Sequence, residues 1–162
     1  DDQLPTHTDH NETKIDAGAT KGSPVVAGFL NDAYDVGGFT FSYKPAPTTR
    51  DTSNSGLFET VRAGASFGYD VPSAAGVYKV DLWFAENSAQ VTQPGQRIFD
   101  VTAQGSTVLT QMDLYALAGP RRAFNRNFQL ITTSPDIKLR FTAKTPAMNA
   151  VVSALMLSQV PY

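Results

Sequence analysis

The sequence contains no cysteine, which removes thiol nucleophiles, thiolate zinc sites, iron–sulfur clusters and disulfides together. Its only histidines, His7 and His10, sit in the first ten residues. A Ser-His-Asp triad or an imidazole metal cage in the body of the chain therefore lacks its usual members. His7, Asp9 and His10 have a spacing that could clasp a divalent ion, but a loose terminus does not preorganise ligands, and no cofactor is expected. Basic excess is also missing: 13 Lys and Arg against 15 Asp and Glu give a net charge of −2. That balance argues against a general grip on nucleic acid or an anionic membrane. No apolar run approaches the ~18 residues of a membrane-spanning helix, and no secretory signal pattern opens the sequence. The missing cysteines leave the redox compartment open.

What is present is ordinary globular composition: 162 residues, 41% hydrophobic and only 17% charged. That length predicts one domain with a core large enough to need no staples. Residues 1–13 (DDQLPTHTDHNET) are polar and aperiodic and read as a tail or linker, leaving a single domain over 14–162. Asn11-Glu12-Thr13 forms a glycosylation sequon, a pattern that is frequent by chance.

From Lys14 onward, short alternating runs are separated by turn residues. In 77–85 (VYKVDLWFA), Tyr78, Val80, Leu82 and Phe84 share one face, and Lys79, Asp81 and Trp83 the other. Residues 66–71 repeat the pattern with Phe67, Tyr69 and Val71 and break at Pro72; residues 137–141 do so with Ile137, Leu139 and Phe141. Further strands are expected over 39–43, 57–62, 98–103, 107–109, 124–132 and 150–157, with core residues alternating in 39–43. Only 109–117 offers a helical turn, and no βαβ rhythm occurs. The expected fold is all-β: an antiparallel β-sandwich of jelly-roll type with long end loops. Trp83, the sole tryptophan, reads either as an exposed sugar platform or as a ring covered by a loop; the second reading is preferred because no partner platform is visible.

Several segments in order form a recognisable set: Ile15-Asp16-Ala17-Gly18, Asp32-Ala33-Tyr34 with Gly37-Gly38, Leu57-Phe58-Glu59-Thr60-Val61-Arg62, Phe67-Gly68-Tyr69-Asp70-Val71-Pro72, Leu82-Trp83-Phe84-Ala85-Glu86, and Gly95-Gln96-Arg97-Ile98-Phe99-Asp100-Val101, followed by Val152-Ser153-Ala154-Leu155. The set resembles the malectin and malectin-like carbohydrate-binding domains over about residues 14–158. The resemblance implies a jelly-roll β-sandwich that binds saccharides, glucose-containing in the founding members, through loops at one end and without catalysis. It also implies an extracellular or cell-surface module, tethered to other domains of a larger secreted protein.

Carried over residue by residue, the family's first pocket tyrosine matches Tyr34. The second aromatic falls on Ala63, the next pair falls on Ser88 and Ala89, and the pocket aspartate falls near Asn149. Phe39, from the alternating run after Gly38, is a candidate replacement ring. Arg62, Asn87, Ser88 and Gln90 lie on the family's binding loops and carry groups that hydrogen-bond hydroxyls. The candidate carbohydrate site is thus Tyr34, Phe39, Arg62, Asn87, Ser88, Gln90 and Asn149. Among the charged matches, Glu86 and Arg97 could pair across strands, and Asp100 could tie down a loop. Asp32 and Asp35 could hold a structural calcium through oxygen ligands. Arg121, Arg122 and Arg126 form the one basic cluster, suited to an acidic polysaccharide or simply solvated. Asp81, Glu86 and Asp100 give no sign of the paired geometry a glycosidase needs, so no enzyme is expected. The alternative to sugar binding is a protein-interaction or adhesion domain on the same scaffold with the pocket lost.

Overall fold

Strand alternation in the sequence becomes three antiparallel sheets in the computed structural model, which describes residues 12–20, 26 and 28–160. The histidine-containing tail and Asn11 of the sequon lie outside the described residues. Twelve strands are described: β1 (Glu12–Asp16), β2 (Asp35–Val36), β3 (Phe39–Ser42), β4 (Thr60–Gly64), β5 (Ser66–Pro72), β6 (Gly76–Phe84), β7 (Phe99–Ala103), β8 (Ser106–Met112), β9 (Phe124–Thr132), β10 (Asp136–Ala143), β11 (Ala150–Val152) and β12 (Ala154–Gln159). One layer has the order β1-β12-β6-β9, the other β2-β5-β10-β7-β8, and a small sheet β11-β4-β3 joins them. The expected all-β sandwich is the fold observed.

Its core follows from the period-2 pattern. Val80, Leu82 and Phe84 of β6 meet Phe67, Tyr69, Phe99, Val101, Leu139 and Phe141 of the opposite layer. The Phe84 and Phe99 rings span the layers with centroids 5.6 Å apart, and Phe67 stacks on Phe141 at 4.8 Å within one sheet. Truncating a ring such as Phe84, fully buried, would cost about 3–5 kcal/mol through lost transfer energy and the cavity left behind.

The differences from the expected elements have local causes. β1 starts at Glu12, inside the segment expected to be tail, because Glu12 and Thr13 pair with Ser158 and Leu157 of β12. Residues 57–62 are not one strand. A 3-10 turn over Ser55–Phe58 buries the adjacent Leu57 and Phe58 together, which an alternating strand cannot do. The run 150–157 splits at Ser153, where the chain leaves the small sheet for the large one; Ser153 donates its N–H to Trp83 O and accepts from Ala17 N. β5 runs on through Pro72, which sits opposite Asp136 at the strand's last position. The helical turn is α1 (Leu114–Ala118), capped by Asp113, whose carboxylate accepts from Ala116 N at 3.1 Å. The short strand β2 was not foreseen.

β3 is the main correction. Its alternating aromatics predicted core strand, yet Phe39 and Phe41 are 48% and 49% exposed. β3 is the edge of the small sheet, paired only with β4, so its aromatic face lies at the rim of the sandwich.

Candidate functional site

The small sheet carries two of the candidate residues, Phe39 and Arg62, and Asn149 immediately precedes its strand β11. Phe39 lies directly opposite Ala63, and Phe41 opposite Val61; on the other side of β4, Val151 lies opposite Ala63 and Ala150 opposite Gly64. Directly paired residues point to the same face. Phe39, Ala63 and Val151 therefore share one face, and Asn149 stands at the entry to β11, roughly 10 Å and two strand spacings from the Phe39 edge. Phe41 and Tyr43 continue the aromatic row edge-to-face, with centroids 5.1 Å apart.

Beside this sheet runs the loop carrying Tyr34, which is 45% exposed. Its backbone is in the left-handed region at φ 63°, a conformation that costs a bulky residue about 1–3 kcal/mol and persists only where its surroundings enforce it. Here they do: Tyr34 O accepts from Asp70 N at 2.9 Å, and Arg62 clamps the loop from beneath. Arg62 Nε donates to Asp32 Oδ2 at 2.8 Å, Nη1 donates to Gly37 O at 2.7 Å, and Nη2 lies 3.2 Å from Asp35 Oδ2. Asp32 Oδ1 accepts from the buried Tyr69 hydroxyl at 2.7 Å. Burial works against the Arg62 charge, but the hydrogen bond and charge of Asp32 prevail and hold its pKa above the usual guanidinium value. Burial, then the Asp32 charge, push the Tyr69 hydroxyl well above the usual phenol range. The chain then turns from β2 to β3 at Gly37-Gly38. Gly38 has φ 73°, and a Cβ there would meet Ala63 O at 2.6 Å, so only glycine fits that close approach.

Two expectations change here. Arg62 was expected to read ligand hydroxyls, but it is 8% exposed and its donors are spent on the loop. Asp32 and Asp35, which could have held a calcium ion, converge instead on the Arg62 guanidinium, and no group of three or more metal-ligating side chains occurs among the described residues.

A second buried pair holds the neighbouring loops. Arg97 Nε donates to Glu86 Oε1 at 2.7 Å, and Arg97 Nη1 donates to Asn149 O. The expected Glu86–Arg97 pairing is present, and it also ties the Ser88 loop to Asn149. Burial lifts the Tyr43 hydroxyl to about 12, with the charge of Arg97 opposing and that of Glu86 reinforcing the rise. The Asn87 amide nitrogen is committed within the fold, donating to Phe58 O at 2.9 Å and to Thr49 Oγ1 at 3.2 Å, while its Oδ1 is buried. Ser88 Oγ accepts from Gln90 N at 3.2 Å, while the Gln90 side chain is exposed. Asp100 does tie a neighbour, accepting from Gln111 N at 2.8 Å.

The remaining candidates disperse. Arg122 pairs with Asp51 at 3.0 Å, and Arg126 stacks over Phe124 at 4.2 Å, so the arginines form no joint anion site. Asp81 faces Lys79 at 3.8 Å and Asn125 at 3.4 Å, while Glu86 is held by Arg97. Trp83 is half-buried, packed against a small cluster of Leu57, Phe58, Ala85 and Ala154, in line with the covered-ring reading. Sequence reasoning missed Asp16: its neighbours in the chain are apolar or small, yet it lies buried under Thr60, whose hydroxyl donates to it at 3.3 Å. Burial, opposed by that hydrogen bond and aided by the charges of Asp32 and Glu59, raises its pKa to about 7. No helix among the described residues is long and apolar enough to cross a membrane.

Comparison with known proteins sets this geometry in context. The Malectin domain model matches residues 7–154, and no curated protein matches the chain. Among solved structures, the chain is similar to Bacteroides uniformis beta-glucuronidase 2 (TM-score 0.74, 18% identity), covering 95% of this chain and 18% of that one. It is similar to the plant receptor-like kinase FER (TM-score 0.75, 14% identity, 93% of this chain and 49% of that one). The ANXUR1 extracellular domain from Arabidopsis thaliana matches at TM-score 0.74 and 14% identity, with 93% and 48% covered. The chain thus spans half or less of these structures, and at such identities they share its fold.

Proposed function

The chain belongs to the malectin domain family, and from that premise we propose that it is a non-catalytic carbohydrate-binding module acting outside the cell, tethered to other domains. Its ligand would lie against the rim made by Tyr34 and Phe39, with Phe41 beside them. The observation that carries this reading is Tyr34: an exposed aromatic held at φ 63° by a buried ion pair underneath. Strain of that kind, enforced by its surroundings, is characteristic of functional positions. A pyranose stacks its apolar face on such rings while polar groups take its hydroxyls.

Phe39 supports the reading as well. Ala63 leaves empty a place where the family resemblance expects a ring, and Phe39 sits directly across from it, roughly 5 Å away by strand-pair geometry. A ring on the adjacent strand thus stands in for the missing one. Ser88, Gln90 and Asn149 supply polar groups on the loops joined by Arg97, whereas Arg62 and Asn87 act by positioning. The two carboxylates beside the rim, Asp32 and Asp35, are both engaged by Arg62, an arrangement that favours binding over hydrolysis.

The test is glycan-array screening of the intact chain followed by calorimetry on the hits. Tyr34→Ala and Phe39→Ala are each expected to weaken binding about tenfold, the equivalent of ~1.4 kcal/mol for a lost ring contact. An array with no hits, together with capture of a defined protein partner lost in the same two variants, would overturn the sugar reading in favour of protein interaction. That alternative has one structural support: FER has been solved in complex with the plant peptide RALF23, and β3 has an unpaired edge among the described residues.

A further inference from the structure

A second concavity lies on the outward face of the β1-β12-β6-β9 sheet. The alternation that buries Val80, Leu82 and Phe84 turns Trp83 outward, and its cross-strand neighbour on β12 is the small Ala154. Lys14 of β1 and Met156 of β12 are paired on the same sheet. Residues 51–58 fold over this face, and between loop and sheet is a cleft of about 420 Å³ lined by Trp83, Phe29, Phe58, Met156 and Asn54, among others. That volume is in the range of small-molecule sites.

We infer that this cleft is a second binding site, taking a short neutral oligosaccharide with one sugar ring against Trp83. Three observations point to that class of ligand. Trp83 and Met156 from the sheet, with Phe29, Leu57 and Phe58 from the chain around it, give the cleft an aromatic and apolar lining that matches the C–H face of a pyranose. Its charged side chains are already neutralised within the chain: Asp51 by Arg122 at 3.0 Å and Lys14 by Glu12 at 3.1 Å. The cleft thus presents no unpartnered charge of either sign to attract an ionic ligand. The loop side instead offers Ser53 and Asn54, whose side-chain hydroxyl and amide have no hydrogen-bond partner among the described residues, while Thr52 is used locally by Asn54 N at 3.0 Å. A hydroxyl and an amide at the mouth of an aromatic cleft suit vicinal hydroxyl groups.

The cleft shares no lining residue with the Tyr34–Phe41 rim, so the two sites can be tested separately. Trp83 is the only tryptophan, and its emission therefore reports this cleft alone. The intact chain is titrated with maltotriose, cellotriose and xylotriose while Trp83 emission and its quenching by acrylamide are followed. A saturable emission change and protection from acrylamide are expected with at least one of the three. Asn54→Ala is expected to weaken that response at least fivefold, with Tyr34→Ala leaving it unchanged. Trp83→Phe, checked for folding by circular dichroism, is expected to weaken calorimetric binding of the same sugar at least fivefold. The inference is overturned if none of the three sugars changes the emission, if Asn54→Ala leaves the response intact, or if Tyr34→Ala abolishes it.

Discussion

Removing the Arg62 guanidinium is the sharpest test of how the Tyr34 loop is held. The side chain of Asp32, 4% exposed, would lose its only cationic partner in the clamp, and Gly37 O would lose its donor. Breaking a buried pair from one side strands a desolvated charge and costs about 3–5 kcal/mol. For a chain of 162 residues, each kcal/mol moves Tm by about 2–4 °C. Arg62→Ala should therefore lower Tm by about 6–20 °C in calorimetry. Asp35 provides the internal control. It touches the same guanidinium at 3.2 Å, but its side chain is 40% exposed, and solvent-screened pairs contribute about 0–1 kcal/mol. Asp35→Asn should thus move Tm by no more than about 4 °C. In the double variant Arg62→Ala with Asp32→Ala the stranded charge disappears, so the cost should fall short of the sum of the single variants by roughly 1–3 kcal/mol. A loss below about 1 kcal/mol for Arg62→Ala, or strict additivity with Asp32→Ala, would refute the clamp.

The buried Asp16 makes a prediction about pH. Its folded pKa of about 7 lies above the ordinary 3.8, so the fold binds this proton more tightly than the unfolded chain does. The resulting stability is complete below the lower value and is lost as pH rises towards 7, at up to about 1.4 kcal/mol per pH unit and at most roughly 4 kcal/mol in all. Urea denaturation between pH 5 and 8 should show this decline, and Asp16→Asn should flatten it; an unchanged slope in that variant would assign the decline to other groups. Two glycines separate backbone strain from collision. Gly105 has φ 83° with nothing within 4 Å of an added Cβ, so Gly105→Ala should cost roughly 1 kcal/mol. At Gly38 the same change would also drive the Cβ into Ala63 O and Phe67, and a loss above ~3 kcal/mol is expected. Equal losses at the two positions would mean that the β2–β3 turn yields without strain.

The legible part of this protein was the part governed by local alternation. β6, β5 and β10 follow directly from residues two apart, because one face of each packs on a core and the sequence must record that. β3 has the same alternation and no such burial: Phe39 and Phe41 obey the pattern, but what lies above a face is decided by distant chain, here the order β11-β4-β3. The division at Ser153 was hidden for a related reason, since Val152 and Ala154 are both buried and only the change of pairing partner separates them. In the site, Arg62 and Asn87 were found by position while their work was not. Their partners are Asp32, Gly37, Thr49 and Phe58, tens of residues away, and a polar side chain does not announce whether its donors face inward or out.

The pairing of β1 with β12 has an outcome for whatever adjoins this chain. Glu12 stands opposite Ser158, so polypeptide entering before the first strand and polypeptide leaving after the last would be neighbours, about 5 Å apart at the point of attachment. A longer protein could carry such a unit as a side branch, splicing it into an exposed loop without prising the host's own backbone open. Both proposed sugar surfaces would then move as one with the unit, tied to its host through a single closely spaced pair of attachment points.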